Sequence, residues 1–388
     1  MSTLKVNKIE NTATSNGGVE IDNTGHVKID NLQMPTAGNL SNRNLIINGA
    51  MNVAQRGTSS TGQGYQTVDR FRNVTTTLTA TQSQQSLSSG DPFDEGFRFF
   101  YRQENTSTST AAGARISIYQ RIENQNISQS GWKYTDPNSF LTLSFWARAS
   151  VAQTYCAQIT TQDTSGRNYP MTFALSADTW TKVTKKIPGN SNLSFTTGND
   201  IGLALFFVPF FGTDRTDSGV SVDTWAAYAN GTQLPDMTST WANTSGATFD
   251  ITGVQLEVGE MATPFEHRSY GDEMARCQRY YEQHKQNGSQ FQTCGQGSVL
   301  GTKFYTTIFY RVEKRAVPSV AVSSGAKFEV GLPSSKTNVS ADEFYDPGTA
   351  ACRMRIELVS GTTNGQAGQC AFDGNQCSNA SINIDAEL

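Results

Sequence analysis

Apolar and polar residues alternate along most of this chain with a period of two. In residues 140–150, Leu141, Leu143, Phe145, Ala147 and Ala149 share one side, while Thr142, Ser144, Trp146 and Arg148 share the other. That alternation marks a half-buried strand. Residues 96–102 put Phe97, Phe99 and Tyr101 on one face, and residues 115–122 do the same with Ile116, Ile118 and Ile122. Tyr155, Ala157 and Ile159 continue the pattern, and further strands are predicted at 180–187 and 249–258. In the last, Phe249 and Ile251 keep one phase and Val254, Leu256 and Val258 the other, so a bulge is expected at Gly253. Residues 201–211 (IGLALFFVPFF) are apolar throughout. They are too short to cross a bilayer and contain Pro209, so a buried strand pair is expected there.

Three other regions differ from this body. In residues 1–40 short alternating runs (Leu4, Val6, Ile9; Val19, Ile21; Val27, Ile29) flank a polar break and the turn Asn23-Thr24-Gly25. Runs this short cannot bury a core in one copy, which predicts a stalk or docking element completed by other chains. One helix is predicted near 270–285: Ser269 and Asp272 cap it, Glu273 lies in its first turn, and Met274, Cys277, Tyr280 or Tyr281, and His284 recur at helical spacing, with a stop at Gly288. Its apolar stripe needs a neighbour, either the β body or the same helix in another chain. Strands return at 304–310, 317–322, 328–332, 351–358 and 381–386, with a loop-like stretch at 361–368. In the fourth of these, Arg353, Arg355 and Glu357 alternate with Cys352, Met354, Ile356 and Leu358, as on the wet face of a strand. The expected class is mainly β: an antiparallel jelly-roll sandwich over 41–268, an N-terminal attachment segment over 1–40, a connecting helix over 269–288 and a smaller distal β domain over 289–388.

Composition narrows the chemistry. Of the 388 residues, 36% are hydrophobic and only 16% charged. Thr, Ser, Asn, Gln and Gly take up the difference and suit solvent-facing strands, turns and the recognition of uncharged polar ligands. Aromatics at 10% argue against disorder. A net charge of −4 without a long basic run argues against nucleic acid as a partner. Six cysteines (Cys156, Cys277, Cys294, Cys352, Cys370, Cys377) form no CxxC pair, and the scattered His26, His267 and His284 do not stand at zinc-ligand spacing from them, so neither a metal nor another cofactor is expected. Cys352, Cys370 and Cys377 fall in one region, where reduced thiols are the default for a protein folded in the cytoplasm. The opening MSTLKVNKIENT has no apolar core of a signal peptide, so synthesis in a cytoplasm without secretion is expected, and membrane insertion is not.

Several stretches carry a resemblance. Residues 43–57 (RNLIINGAMNVAQRG) followed by Val68-Asp69-Arg70-Phe71, then 251–268 (ITGVQLEVGEMATPFEHR), then 274–281 (MARCQRYY), occur in an order that resembles phage tail fiber and tail-associated proteins, whose central domain is similar to carbohydrate-binding jelly rolls. The opening 29 residues look like the virion-attaching start of marine and cyanobacterial phage tail fibers, and the final IDAEL like their closing strand. These motifs are structural rather than catalytic. Leu45 and Ile47 alternate with Ile46, Asn48-Gly49 supplies a turn, Val254, Leu256 and Val258 fill the core, Gln255 and Glu257 face outward, and Pro264 ends the strand. The resemblance implies a homotrimer located in the virion, held to a tail protein through residues 1–40 and meeting a host-surface glycan or outer-membrane receptor.

Candidate binding residues are aromatic. Trp225, Tyr228 and Trp241 lie in a loop-rich stretch, 218–246, and could offer rings for stacking on sugar. The competing reading, favoured by the usual burial of large aromatics, packs them beneath the loop. Trp146 and Trp180 sit in strands and are assigned to core or inter-subunit packing. Asp214, Asp217 and Asp223 have neither a full calcium-loop spacing nor a recognisable general-acid setting, and turns account for them. No phosphate loop, HExxH or GxSxG occurs, so no catalytic residue is assigned and the chain is not expected to be an enzyme. Two rivals to a receptor-binding fiber remain. One is a polysaccharide depolymerase, although the repeats of a long β-helix are missing; the other is a structural adaptor that touches no receptor.

Overall fold

The structure, a computed structural model, describes residues 8–10, 18–21, 27–29, 32–33, 41–161, 166–289, 291–332, 335–339, 343–358 and 363–388. The chain divides into two compact units, Met1–Arg268 and Ser269–Leu388.

The first unit opens with β1 (Lys8–Glu10), β2 (Gly18–Ile21), β3 (Val27–Ile29) and β4 (Leu32–Gln33), which pair in that order as one antiparallel sheet. Ile9, Val19 and Ile29 stand opposite one another in register. Ile9 is 62% exposed and Ile21 44%. Leu4, Val6 and the turn at 23–25 lie outside the described residues.

Twelve more strands follow: β5 (Ser59–Ser60), β6 (Arg72–Thr76), β7 (Ala80–Ser86), β8 (Phe99–Asn105), β9 (Arg115–Glu123), β10 (Phe140–Ala149), β11 (Gln153–Thr161), β12 (Arg167–Leu175), β13 (Thr181–Pro188), β14 (Ile201–Phe211), β15 (Ala226–Ala227) and β16 (Thr248–Val258). Two short helices, α1 (Asp91–Asp94) and α2 (Asn124–Ser128), interrupt them. The strands form two six-stranded antiparallel sheets, β13-β10-β16-β8-β7-β5 and β15-β12-β11-β14-β9-β6, packed as a jelly-roll sandwich. The inward positions of β10 (Leu141, Leu143, Phe145, Ala147, Ala149) meet those of β11 (Tyr155, Ala157, Ile159) and β14 (Leu203, Leu205, Phe207) in one core. Phe145 and Phe207 meet edge to face at 4.9 Å, and Tyr155 and Phe249 lie 5.2 Å apart. Each such ring taken from water stabilises the fold by about 2–3 kcal/mol before the entropy of ordering is charged against it.

Several expectations shift. Residues 201–211 are a single central strand, not a pair; Pro209 is accommodated where the register slips between Phe207 and Phe210. Phe97 precedes β8 and packs with Phe100, Trp146 and Leu87 in a separate cluster. The bulge at Gly253 is present: Ser144 pairs with Gln255 but Trp146 with Thr252, and Gly253 takes φ +61° beneath the Phe97 ring. Gln255 and Glu257 do not face solvent. Both are buried, Gln255 Nε2 donating to Glu257 Oε1 and Thr263 Oγ1 donating to Glu257 Oε2.

That network joins the two longest motif stretches. Asn44 donates to Val254 O and its Oδ1 accepts from Ile46 N and Leu256 N, while Glu266 accepts from Asn44 N and pairs with Arg268 at 2.9 Å. Gly49 lies so close to β16 that a Cβ there would stand 2.0 Å from Val254 O. The motifs are therefore conformational fittings, set where chain segments far apart in sequence must meet.

The second unit holds α3 (Tyr270–Gln278), β17 (Tyr281–Lys285), β18 (Gln292–Leu300), β19 (Lys303–Phe309), β20 (Ser319–Val322), β21 (Phe328–Leu332), β22 (Ser335–Val339), β23 (Glu343–Tyr345), β24 (Ala351–Glu357), β25 (Ala367–Phe372) and β26 (Ser381–Asp385). The sheets run β22-β21-β25-β18-β19-β24-β23 and β17-β26-β20. The Ser269 hydroxyl caps α3 by accepting from Asp272 N at 3.2 Å. The helix stops at Gln278, earlier than its apolar spacing suggests, because residues 281–285 are taken into a ladder with β26. Part of the 361–368 stretch is likewise strand, since β25 begins at Ala367. None of the six cysteines forms a disulfide. The thiol that meets Cys370 belongs to Cys294, with the sulfurs 3.2 Å apart.

Candidate functional site

The side chains of β9 that do not enter the core are Arg115, Ser117, Tyr119 and Arg121, since Ile116, Ile118 and Ile122 occupy the alternate positions. They lie on the outer face of the second sheet. Arg72 of the edge strand β6 stands opposite Tyr119, and its Nη1 donates to the Tyr119 hydroxyl at 2.8 Å. Tyr119 in turn stands opposite Phe206 of β14, the rings 4.6 Å apart. The guanidinium carbons of Arg72 and Arg121 lie 5.7 and 5.3 Å from the Tyr119 ring centre. Tyr65 extends the series, with Arg56 at 5.7 Å and Arg72 at 5.8 Å. At the other end of β9, Arg115 and Arg215 approach the Phe211 ring at 5.3 and 5.9 Å. Arginine and aromatic side chains thus alternate along one edge of the sheet, contacts of about 0.5–1 kcal/mol each where exposed.

Arg115 is electrostatically crowded. Burial lowers its pKa first, the Arg215 charge lowers it further, and Arg72 adds to the effect; the groups acting in the opposite direction are the phenols of Tyr119 and Tyr228. No ion pair holds Arg72, Arg115 or Arg215 among the described residues, and the Nε of Arg115 and the hydroxyl of Ser117 are buried without a hydrogen-bond partner. A planar fork of N–H donors resting on rings, with few protein acceptors, is suited to receiving ligand oxygens.

The rest of this face is covered. Leu234, and partly Met237, pack on Cys156, Phe206 and Val208, while Gln233 accepts from Asn168 Nδ2 at 2.6 Å. Burial pushes the Cys156 thiol up to about 12, which leaves it unreactive as a nucleophile.

The aromatic candidates do not converge. Trp241 is fully buried in the sandwich core, its Nε1 donating to Thr248 O at 3.0 Å, and it has no face to offer a ligand. Trp225 is half-buried, 5.2 Å from the Tyr169 ring, with Nε1 donating to Pro188 O at 2.7 Å. Tyr228 is 39% exposed beyond the other end of the two-residue strand β15, which pairs with β12. Trp146 and Trp180 belong to the satellite cluster outside the first sheet. The carboxylates stay apart from one another: Asp217 closes a turn by accepting from Gly219 N at 2.7 Å, and Asp223 lies 3.6 Å from Lys185. A small pocket among Asn42, Arg43, Leu45, Ser130 and Val258 contains one charged side chain, Arg43, which pairs with Glu257 at 3.6 Å. Among the described residues no group of three or more His, Cys, Asp or Glu side chains is placed to hold a metal ion.

In the sequence of β9 the isoleucines carry the strand signal, and the arginines between them look like an ordinary wet face. The same alternation that sends the isoleucines inward sends Arg115, Tyr119 and Arg121 outward. The contributions of Arg56, Tyr65, Arg72 and Arg215 have no local signal at all.

No family model matches the chain, and no curated protein matches it. Solved structures similar to it include the arabinose-bound MgGH51 α-L-arabinofuranosidase (10% identity, TM-score 0.32, covering 56% of this chain and 26% of that one). Others are the family 11 carbohydrate-binding module of the cellulosomal cellulase Lic26A-Cel5E of Clostridium thermocellum (14%, TM-score 0.27, covering 53% and 96%) and the N-terminal cellulose-binding domain of Cellulomonas fimi β-1,4-glucanase C (11%, TM-score 0.28, covering 54% and 99%). The chain thus spans about a quarter of the arabinofuranosidase and nearly all of the two binding modules. Likeness at these TM-scores does not bear on what this chain binds.

Proposed function

We propose that this chain is a phage tail fiber adhesin that holds a host-surface glycan on the arginine–aromatic strip of its second sheet. The observation that carries the reading is the strip itself: Arg72, Tyr119, Arg115 and Arg215 gathered on one face with donors that no protein carboxylate answers. The fiber assignment rests on the motif stretches at 43–57, 251–268 and 274–281, which resemble those of tail fibers. In the same reading the chain is a homotrimer in the virion, and residues 1–40 dock on a tail protein. The exposed Ile9 and Ile21 of the N-terminal sheet support a partner there. Weak glycan sites multiplied over three chains and several fibers gain avidity by orders of magnitude.

The test uses the purified full-length chain on an array of bacterial surface polysaccharides, with light scattering for mass. Binding that weakens in Arg72→Gln, in a particle three chains in mass, is the expected result. Release of oligosaccharides from a bound polymer would replace this reading with a depolymerase. Failure both to bind and to block phage adsorption would replace it with a structural adaptor, and a stable monomer would remove the trimer.

A further inference from the structure

Building on the glycan reading, the arrangement along β9 also specifies the kind of sugar. Arg115 shares the Phe211 ring with Arg215 and lies within electrostatic reach of both Arg215 and Arg72, and none of the three is paired with a carboxylate among the described residues. Like charges gathered in a partly desolvated place are unfavourable until an opposite charge arrives. The unfilled polar atoms point the same way. Ser117 lies between Arg115 and Tyr119 on the outward side of the strand, 0% exposed, and its hydroxyl has no partner; Arg115 Nε is likewise buried and unanswered. The rings of Tyr119 and Phe211 are buried beneath the guanidiniums, and Phe206 beneath Leu234, so none of the three is open for a sugar to stack on. They act as seats that hold guanidinium planes, leaving the N–H edges to do the recognition.

We propose that the strip recognises the carboxylate of an acidic saccharide, a uronic or sialic acid residue, through the guanidinium edges of Arg72, Arg115 and Arg215. A planar guanidinium matches a carboxylate with two parallel hydrogen bonds, which a neutral sugar hydroxyl cannot accept in the same way. Nucleic acid is the less suitable anion: the whole chain carries a net charge of −4, and of the strip's rings only half-buried Tyr65 has a face that a base could reach, too few for a stacking platform.

The experiment measures affinity of the full-length chain for polygalacturonate, hyaluronan and polysialate, for the carboxyl-reduced form of each, and for a single-stranded oligonucleotide. At least one acidic polymer should bind, its reduced form should not, and affinity should fall as salt rises. Arg115→Gln and Arg215→Gln should each weaken binding about tenfold, the loss of one charge-assisted contact, with an unchanged melting temperature as the check on folding. Arg115→Lys should recover less than the full affinity, since it restores the charge without the fork. Equal binding of acidic and reduced polymers, unaffected by the arginine variants, would overturn the carboxylate inference and leave the glycan reading intact. Tighter binding of the oligonucleotide would overturn it in favour of nucleic acid. Binding of no saccharide, acidic or neutral, would remove both.

Discussion

The two outer faces of the sandwich use the same side-chain types for opposite ends. On the first sheet, Arg102 and Arg148 flank Asp250 in register, one on each neighbouring strand, and reach its carboxylate at 2.8 Å each. Arg148 also lies 4.7 Å from the Trp180 ring and 5.3 Å from that of Phe100. Its partner on the other side of Asp250, Arg102, has its pKa raised by the hydrogen bond to that carboxylate. On the second sheet, the residues opposite Arg115 are Thr76 and Phe211, so no acid answers it, and burial together with Arg215 lowers its pKa. An arginine over an aromatic ring is therefore ambiguous by itself. The counter-charge decides whether the pair closes the fold or stands ready for something outside it.

Mutations should separate the two faces. Asp250→Ala should cost the most, about 3 kcal/mol by urea denaturation, because two arginines lose their shared acceptor at a buried position; a change under about 1 kcal/mol would dissolve the distinction. Trp180→Ala should cost about 1–2 kcal/mol, from lost contacts to Arg148 and to Phe100, whose ring lies 5.5 Å away. Arg115→Gln should move stability by no more than about 0.5 kcal/mol, and upward if at all, since it relieves crowding instead of breaking a pair. A marked loss of stability there would mean that the second face is as structural as the first.

The sequence made the fold legible wherever the period of two was strict. β10, β24 and the core of β14 follow directly from alternation or an apolar run. It failed where backbone pairing overrode local spacing. Residues 281–285 continue a helical apolar stripe, yet the ladder with β26 is worth more than another helical turn. It fails again at Gln255 and Glu257, where polar residues that alternate with apolar ones predict a solvent-facing side. They are polar because they answer one another and Thr263, a condition that needs tertiary contact to appear. Site residues followed the same divide. Trp241 looked like a platform because its loop lacks alternation, but its Nε1 finds a backbone acceptor inside the sandwich. The arginine strip draws on residues 56 to 215, and proximity of that kind has no trace in local spacing.

The lattice of contacts around Asn44 sets a schedule for the chain. Asn44 is bound to Val254 across 210 residues and to Arg268 across 224. A ribosome releases the amino-terminal half of the sandwich long before its last strand, so the early strands must wait with an edge unclosed. Connections this distant make for slow folding and a long period in which apolar strands stand open to wrong partners. Truncation anywhere before residue 268 should accordingly yield aggregated protein rather than a smaller folded sandwich, while division at the boundary that follows it offers a place to cut.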